Sequence, residues 1–93
     1  MNKHNEMLDE TMKAIHEATE QNNYDNLLQM YLSLMAIIEN MPKDILSKKK
    51  RREICLEFAE LAEKTYIKAF KNKNYEISVL GSFVFELREM AAK

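Results

Sequence analysis

Glycine and proline are nearly missing from this chain. Among 93 residues there is one glycine, Gly81, and one proline, Pro42, where average composition would supply roughly 11 of the two together. Sheet proteins use these residues in their turns, and phosphate-cradling loops need glycine to bring backbone close to oxygen. The shortage argues against an all-β sandwich, a βαβ nucleotide fold and a P-loop, and leaves a helical chain with short connections. Cysteine is scarce too. Cys55 stands alone, has no partner for an internal disulfide, and fits a reducing, cytoplasmic compartment. Long apolar runs are also missing: residues 27–41 are broken by Gln29, Ser33, Glu39 and Asn40, which is too short and too polar for a membrane span. The first ten residues are polar and acidic, without the apolar stretch of a signal peptide.

What is present suits one soluble helical domain over residues 1–93. Hydrophobic residues make up 46% and charged residues 31%, far from a disordered composition. The net charge is −1, but residues 1–23 carry −3, residues 24–41 carry −2 and residues 42–52 carry +5. One basic island therefore interrupts a mildly acidic chain.

Apolar spacing predicts four helices, at about 3–20, 25–41, 48–72 and 75–91. In the first, Leu8, Met12, Ile15 and Ala18 recur every three to four residues, as one buried helical face requires. Gln21-Asn22-Asn23 stops it, since asparagine tolerates left-handed backbone. The second is apolar around most of its circumference, so it must be central or covered by a partner. Pro42 ends it by pushing the preceding residue out of the α region. The third carries two apolar stripes, Ile54-Phe58-Leu61-Thr65 and Cys55-Ala59-Ala62-Tyr66-Ala69, beside a charged face of Glu53, Glu57, Glu60, Lys64, Lys68 and Lys71. The fourth fits a helical seam of Ile77, Leu80, Val84, Leu87 and Ala91. It also alternates like a strand, but no other segment would pair with such a strand and satisfy its backbone. The expected architecture is all-α, a four-helix antiparallel bundle built from two helical hairpins.

A faint repeat supports the hairpins. Residues 18–25 (Ala-Thr-Glu-Gln-Asn-Asn-Tyr-Asp) align with residues 69–76 (Ala-Phe-Lys-Asn-Lys-Asn-Tyr-Glu) at an offset of 51, each an Asn-Tyr-acid turn between helices. The second copy resembles the turn between the two helices of a tetratricopeptide repeat. The offset is not the period of about 34 of that family, and Leu27 and Ser78 occupy its small-residue positions. The resemblance therefore covers the turn chemistry alone.

Candidate sites are few. The run Lys48-Lys49-Lys50-Arg51-Arg52 offers electrostatic docking to phosphates, an anionic surface or an acidic partner. Five consecutive helical residues spread around the whole circumference, however, and no interleaved aromatic or recognition-helix pattern accompanies them. Nucleic acid is therefore disfavoured. His4 and His16 are too far apart to share a metal ion, and no Glu-x-x-His pair exists in the chain. Glu53, Glu57 and Glu60 share a face with lysines, which is the setting of a solvated surface rather than of an acid/base pair. Cys55 falls on a core stripe. Seven methionines, three of them on the second helix, suit either an adaptable groove or a loosely specified core.

No nucleophile, metal cluster, cofactor motif or Gly-rich loop emerges. The favoured reading is a non-catalytic protein-binding module (a regulator, inhibitor or chaperone-like adaptor) that needs no cofactor. Helices two and four carry more apolar residues than one shared core needs, and Leu28, Tyr31, Leu32, Met35, Val79, Phe83, Phe85 and Met90 are the candidate surplus. A symmetric homodimer would cover them. One alternative is a protective protein at a membrane surface: bacteriocin immunity proteins are similar in size, often four antiparallel helices, and frequently lysine-rich. A further alternative is a nucleic-acid-binding regulator acting through residues 48–52.

Overall fold

The computed structural model describes residues 3–93, with side chains from Asn5 onward. Met1 and the side chain of His4, both weighed above, lie outside this set. The protein is all-α. Its four helices are α1 (Lys3–Glu20), α2 (Leu27–Asn40), α3 (Lys48–Lys71) and α4 (Leu80–Ala92), with a 3-10 turn at Tyr75–Ile77 before α4. The fourth apolar segment is thus helical, and no strand occurs among the described residues. The chain divides into two compact units between Ser47 and Lys48. Each is a helical hairpin, α2 packing on α1 in the first and α4 on α3 in the second.

In the first hairpin, Leu8, Ile15 and Ala18 of α1 are buried, as are Leu27, Tyr31, Leu34, Met35 and Ile38 of α2. The helix that looked apolar all round therefore spends most of its apolar side chains within the chain. It starts two residues later than its sequence suggests, because Asn26 takes left-handed backbone (φ 63°) immediately before it. It ends as expected, with Met41 extended ahead of Pro42. The amides of Ile45 and Leu46 then both donate to the Pro42 carbonyl, at 3.0 and 2.9 Å, forming a turn.

In the second hairpin, the two predicted stripes of α3 are realised except at Leu61 and Tyr66, which are half-buried. Ile54, Cys55, Phe58, Ala59, Ala62, Thr65 and Ala69 are buried, and the Thr65 hydroxyl is satisfied by the Leu61 carbonyl at 2.8 Å. On α4 and the turn before it, Ile77, Leu80, Val84, Leu87 and Ala91 are buried as the seam predicts, and Phe83 and Met90 widen that face. Helix α4 begins only at Leu80, because Tyr75–Ile77 before it take the tighter 3-10 form.

The faint repeat is a repeat of hydrogen bonds. In the first turn the amides of Gln21, Asn22 and Asn23 donate to the carbonyls of Glu17, Thr19 and Ala18; in the second, Asn72, Lys73 and Asn74 donate to Lys68, Phe70 and Ala69. Leu27 to Tyr24 and Ser78 to Tyr75 match likewise. Both helices end in the same Schellman-type cap, which requires a left-handed residue at its centre. Asn22 (φ 54°) and Lys73 (φ 61°) fill that place.

Gly81 stands in the first turn of α4 rather than in its interior, and its φ is not positive. A methyl group there would meet the Tyr66 ring of α3 at 3.7 Å, an ordinary contact. The close neighbour is this ring, within the hairpin.

Candidate contact surface

Eight large apolar side chains stand well exposed among the described residues, and six of them belong to the second hairpin: Leu56, Ile67, Phe70, Tyr75, Val79 and Phe85. Four of the six, Ile67, Phe85, Phe70 and Tyr75, fall into two neighbourhoods. The first follows from helical spacing. Residues 63, 66, 67 and 70 of α3 share one side of the helix, as do residues 81, 84, 85 and 88 of α4. These two sides flank a groove of about 360 Å³ lined by Glu63, Tyr66, Ile67, Gly81, Phe85 and Arg88, with Val84 at its base. The Arg88 guanidinium donates to the Glu63 carboxylate at 3.1 Å and ties the two helices together across it. Phe85, 64% exposed, is the most exposed of the eight.

An aromatic row continues from the groove to the turn. The Tyr66 and Phe70 rings lie 6.0 Å apart, and Phe70 meets Tyr75 edge-on at 5.3 Å. These distances suit favourable aromatic pairing. The row pre-orders three large side chains that remain open to a partner on their outer sides. Aromatic anchors held in place by neighbours carry much of the energy at protein interfaces.

The eight residues expected to form the partner surface separate cleanly. Val79, Phe85 and Leu32 are exposed and Leu28 is half-buried, whereas Tyr31, Met35, Phe83 and Met90 are buried in the chain itself. The last four serve as core, since each lies on or beside its helix's buried face. Burial also raises the Tyr31 phenol well above its ordinary value. Leu56, Ile67, Phe70 and Tyr75 were not anticipated as surface. Their signal was available: on α3, Leu56, Ile67 and Phe70 fall outside both core stripes.

The basic run opens α3, whose first turn carries no acidic residue. Lys48, Lys49, Lys50 and Arg52 are exposed and Arg51 is half-buried, so the run does not present one flat charged face. Cys55 is buried, as its stripe implies; burial raises its thiol, an effect that Arg51 partly offsets. A raised thiol is a poor nucleophile. Glu60 pairs with Lys64 at 3.2 Å on the open surface, and His16 is exposed. Among the described residues no cluster of histidine, cysteine and carboxylate could hold a metal ion, and no helix is long and apolar enough to cross a membrane.

The first hairpin has a smaller depression of about 240 Å³, lined by Glu10, Thr11, Ala14, Asn26, Gln29, Met30 and Ser33. Its mixed polar lining lacks any aromatic anchor. Compared with protein-family models, with curated proteins and with solved structures, the chain matches none.

Proposed function

We propose that this protein is a small, non-catalytic protein-binding module whose contact surface is the aromatic groove of the α3–α4 hairpin. One observation carries the reading: Phe85, Ile67, Phe70 and Tyr75 stay exposed around a groove that the Glu63–Arg88 pair spans. Leaving such side chains in water forgoes roughly 1.5–3 kcal/mol for each that could have been buried. A contiguous patch of them marks an interaction surface more often than scattered single residues do. The groove suits one or two apolar side chains from a partner helix, which is the helix-in-groove mode of recognition. Val79 and Phe85 are retained from the expected contact set, with Tyr66, Ile67, Phe70 and Tyr75 added to it. The exposed lysines 48–50 and Arg52 add long-range attraction for an acidic partner, which acts on the association rate more than on affinity.

The test compares the wild-type protein with Phe85→Asp and Phe70→Asp, immobilised and exposed to an extract of the source cells. Partners are identified by mass spectrometry, and circular dichroism verifies helix content. A protein retained by the wild type and lost by both variants is expected. Identical retention by all three would contradict the reading.

A further inference from the structure

We propose that the groove receives one helix of a partner, antiparallel to α3, apolar in its N-terminal half and acidic at its C-terminal end. The proposal rests on the α3–α4 groove being the contact surface, and it adds the partner's direction and charge. It follows from one stripe along α3. At about 100° per residue, positions 49, 52, 56, 63, 67 and 70 fall within about 60° of one another around the helix. Lys49, Arg52, Leu56, Ile67 and Phe70 are exposed, and half-buried Glu63 is held by Arg88 at 3.1 Å. The basic run as a whole spreads around α3, yet these two of its members share the groove's side. Lys50 and Arg51 lie elsewhere on the circumference and make contacts of their own.

The stripe has an apolar half and a basic half. Beside the groove the charges are already matched, Glu63 with Arg88 and, at the stripe's edge, Glu60 with Lys64. The first turn of α3 carries no acidic residue, and Glu53 lies about 100° around the helix from Arg52. Helix α4 leaves the basic end open. Gly81 lies against Tyr66 and Arg88 against Glu63, so at equal rise Ala92 ends α4 alongside about residue 59 of α3. The turns that carry Lys49 and Arg52 extend past that point.

A helix laid in the groove and continued along α3 therefore meets three features in order. Leu56 lies about 16 Å along the axis from Ile67, Arg52 about 22 Å and Lys49 about 27 Å, at 1.5 Å per residue. The matching partner has apolar residues at about i and i+4 for the groove, another at i+11 for Leu56, and carboxylates at i+15 and i+18. These positions share one side of the partner helix. Dipoles set its direction: the N-terminus of α3 is the positive end of its helix, and Lys49 and Arg52 add to it. The negative C-terminal end of the partner belongs there. Carboxylates at that end are unfavourable in a lone helix for the same reason, so the contact stabilises a segment that is weak alone. An anionic lipid surface would engage the basic residues and leave the groove empty.

Selection from displayed helical peptides, with the whole 93-residue chain as bait, tests this. One library fixes apolar residues at i, i+4 and i+11 and varies the remaining positions among Glu, Lys and Gln. A second library reverses the apolar order. Glutamate should be enriched at about i+15 and i+18 of the first library. With Lys49→Glu and Arg52→Glu combined in the bait, lysine should be enriched there instead. A selected acidic peptide should bind that variant roughly tenfold or more weakly than the wild type. Both reversals fall on exposed side chains, and circular dichroism verifies that the variant keeps its helices. Binders that Phe85→Asp abolishes but that show no charge preference, or that come only from the reversed library, would overturn the proposal and leave the groove reading standing. Binders indifferent to Phe85→Asp, or none at all, would contradict the groove reading and the proposal with it. Adsorption to phosphatidylserine vesicles that the two reversals abolish, beside peptides without charge preference, would assign Lys49 and Arg52 to a lipid surface and overturn the proposal.

Discussion

The two hairpins share a turn and differ in what they leave outside. Both turns make the same set of backbone hydrogen bonds at an offset of 51 residues, and both centre on a left-handed residue. The first hairpin nevertheless exposes only Met7 and Leu32 among its described large apolar side chains, whereas the second exposes six. Identical local chemistry thus fixes the hairpin and says nothing about its use. Half of the six lie on α3, whose 24 residues carry apolar side chains on the buried stripes and also outside them, and half (Tyr75, Val79 and Phe85) follow it. Function is read from that remainder.

The largest expected effect separates core from surface within the second hairpin. Phe58 is fully buried, and Phe58→Ala should cost about 3–5 kcal/mol in urea unfolding. Phe85→Ala should cost less than about 1 kcal/mol, because its ring remains in water. Similar losses from the two would erase the distinction between core and contact surface.

Next is an alkaline effect with one origin in each hairpin. Burial holds the Tyr31 phenol and the Cys55 thiol above their ordinary values, so the folded state keeps both protons where the unfolded state would release them. Their contribution is complete below the ordinary thiol value. It is lost as pH rises past about 9, through Cys55, and past about 10, through Tyr31, where the slope approaches about 1.4 kcal/mol per pH unit. Unfolding midpoints measured between neutral and strongly alkaline pH should show this decline. Tyr31→Phe should flatten its upper part.

The shared turn gives a smaller contrast. Lysine in the left-handed region is strained, whereas asparagine tolerates it. Lys73→Gly should therefore raise stability by about 0.5–1 kcal/mol, and Asn22→Gly by distinctly less. Equal gains in thermal unfolding would mean that the two caps are not under different strain. Smallest is Gly81→Ala. With negative φ and the Tyr66 ring at 3.7 Å, alanine fits and should add up to about 0.5 kcal/mol, because the site is in a first turn rather than a helix interior.

Much of this fold was legible from spacing. The core seams of α1, α3 and α4, the stop at Pro42 and the repeated turn all rest on periodicity and on residues with narrow backbone preferences. The start of α4 was not legible, since a 3-10 turn and a first α-helical turn share the same local signals. The contact surface was half legible. Counting apolar residues on α2 and α4 identified an excess but not its position: Tyr31, Met35, Phe83 and Met90 went inward because each lies on or next to a buried face. Phe70 could be found from its place outside both core stripes of α3, but Tyr75 was hidden by its place at a turn, where helical periodicity lapses and only its packing on Phe70 shows that the two form one surface.

The most direct test of the central claim, that the second hairpin carries the contact surface, is an amide-resolved NMR titration of the protein with a partner that it retains from the cell extract. Shifts concentrated in residues 63–88 are predicted. Shifts concentrated in residues 5–40 would contradict it.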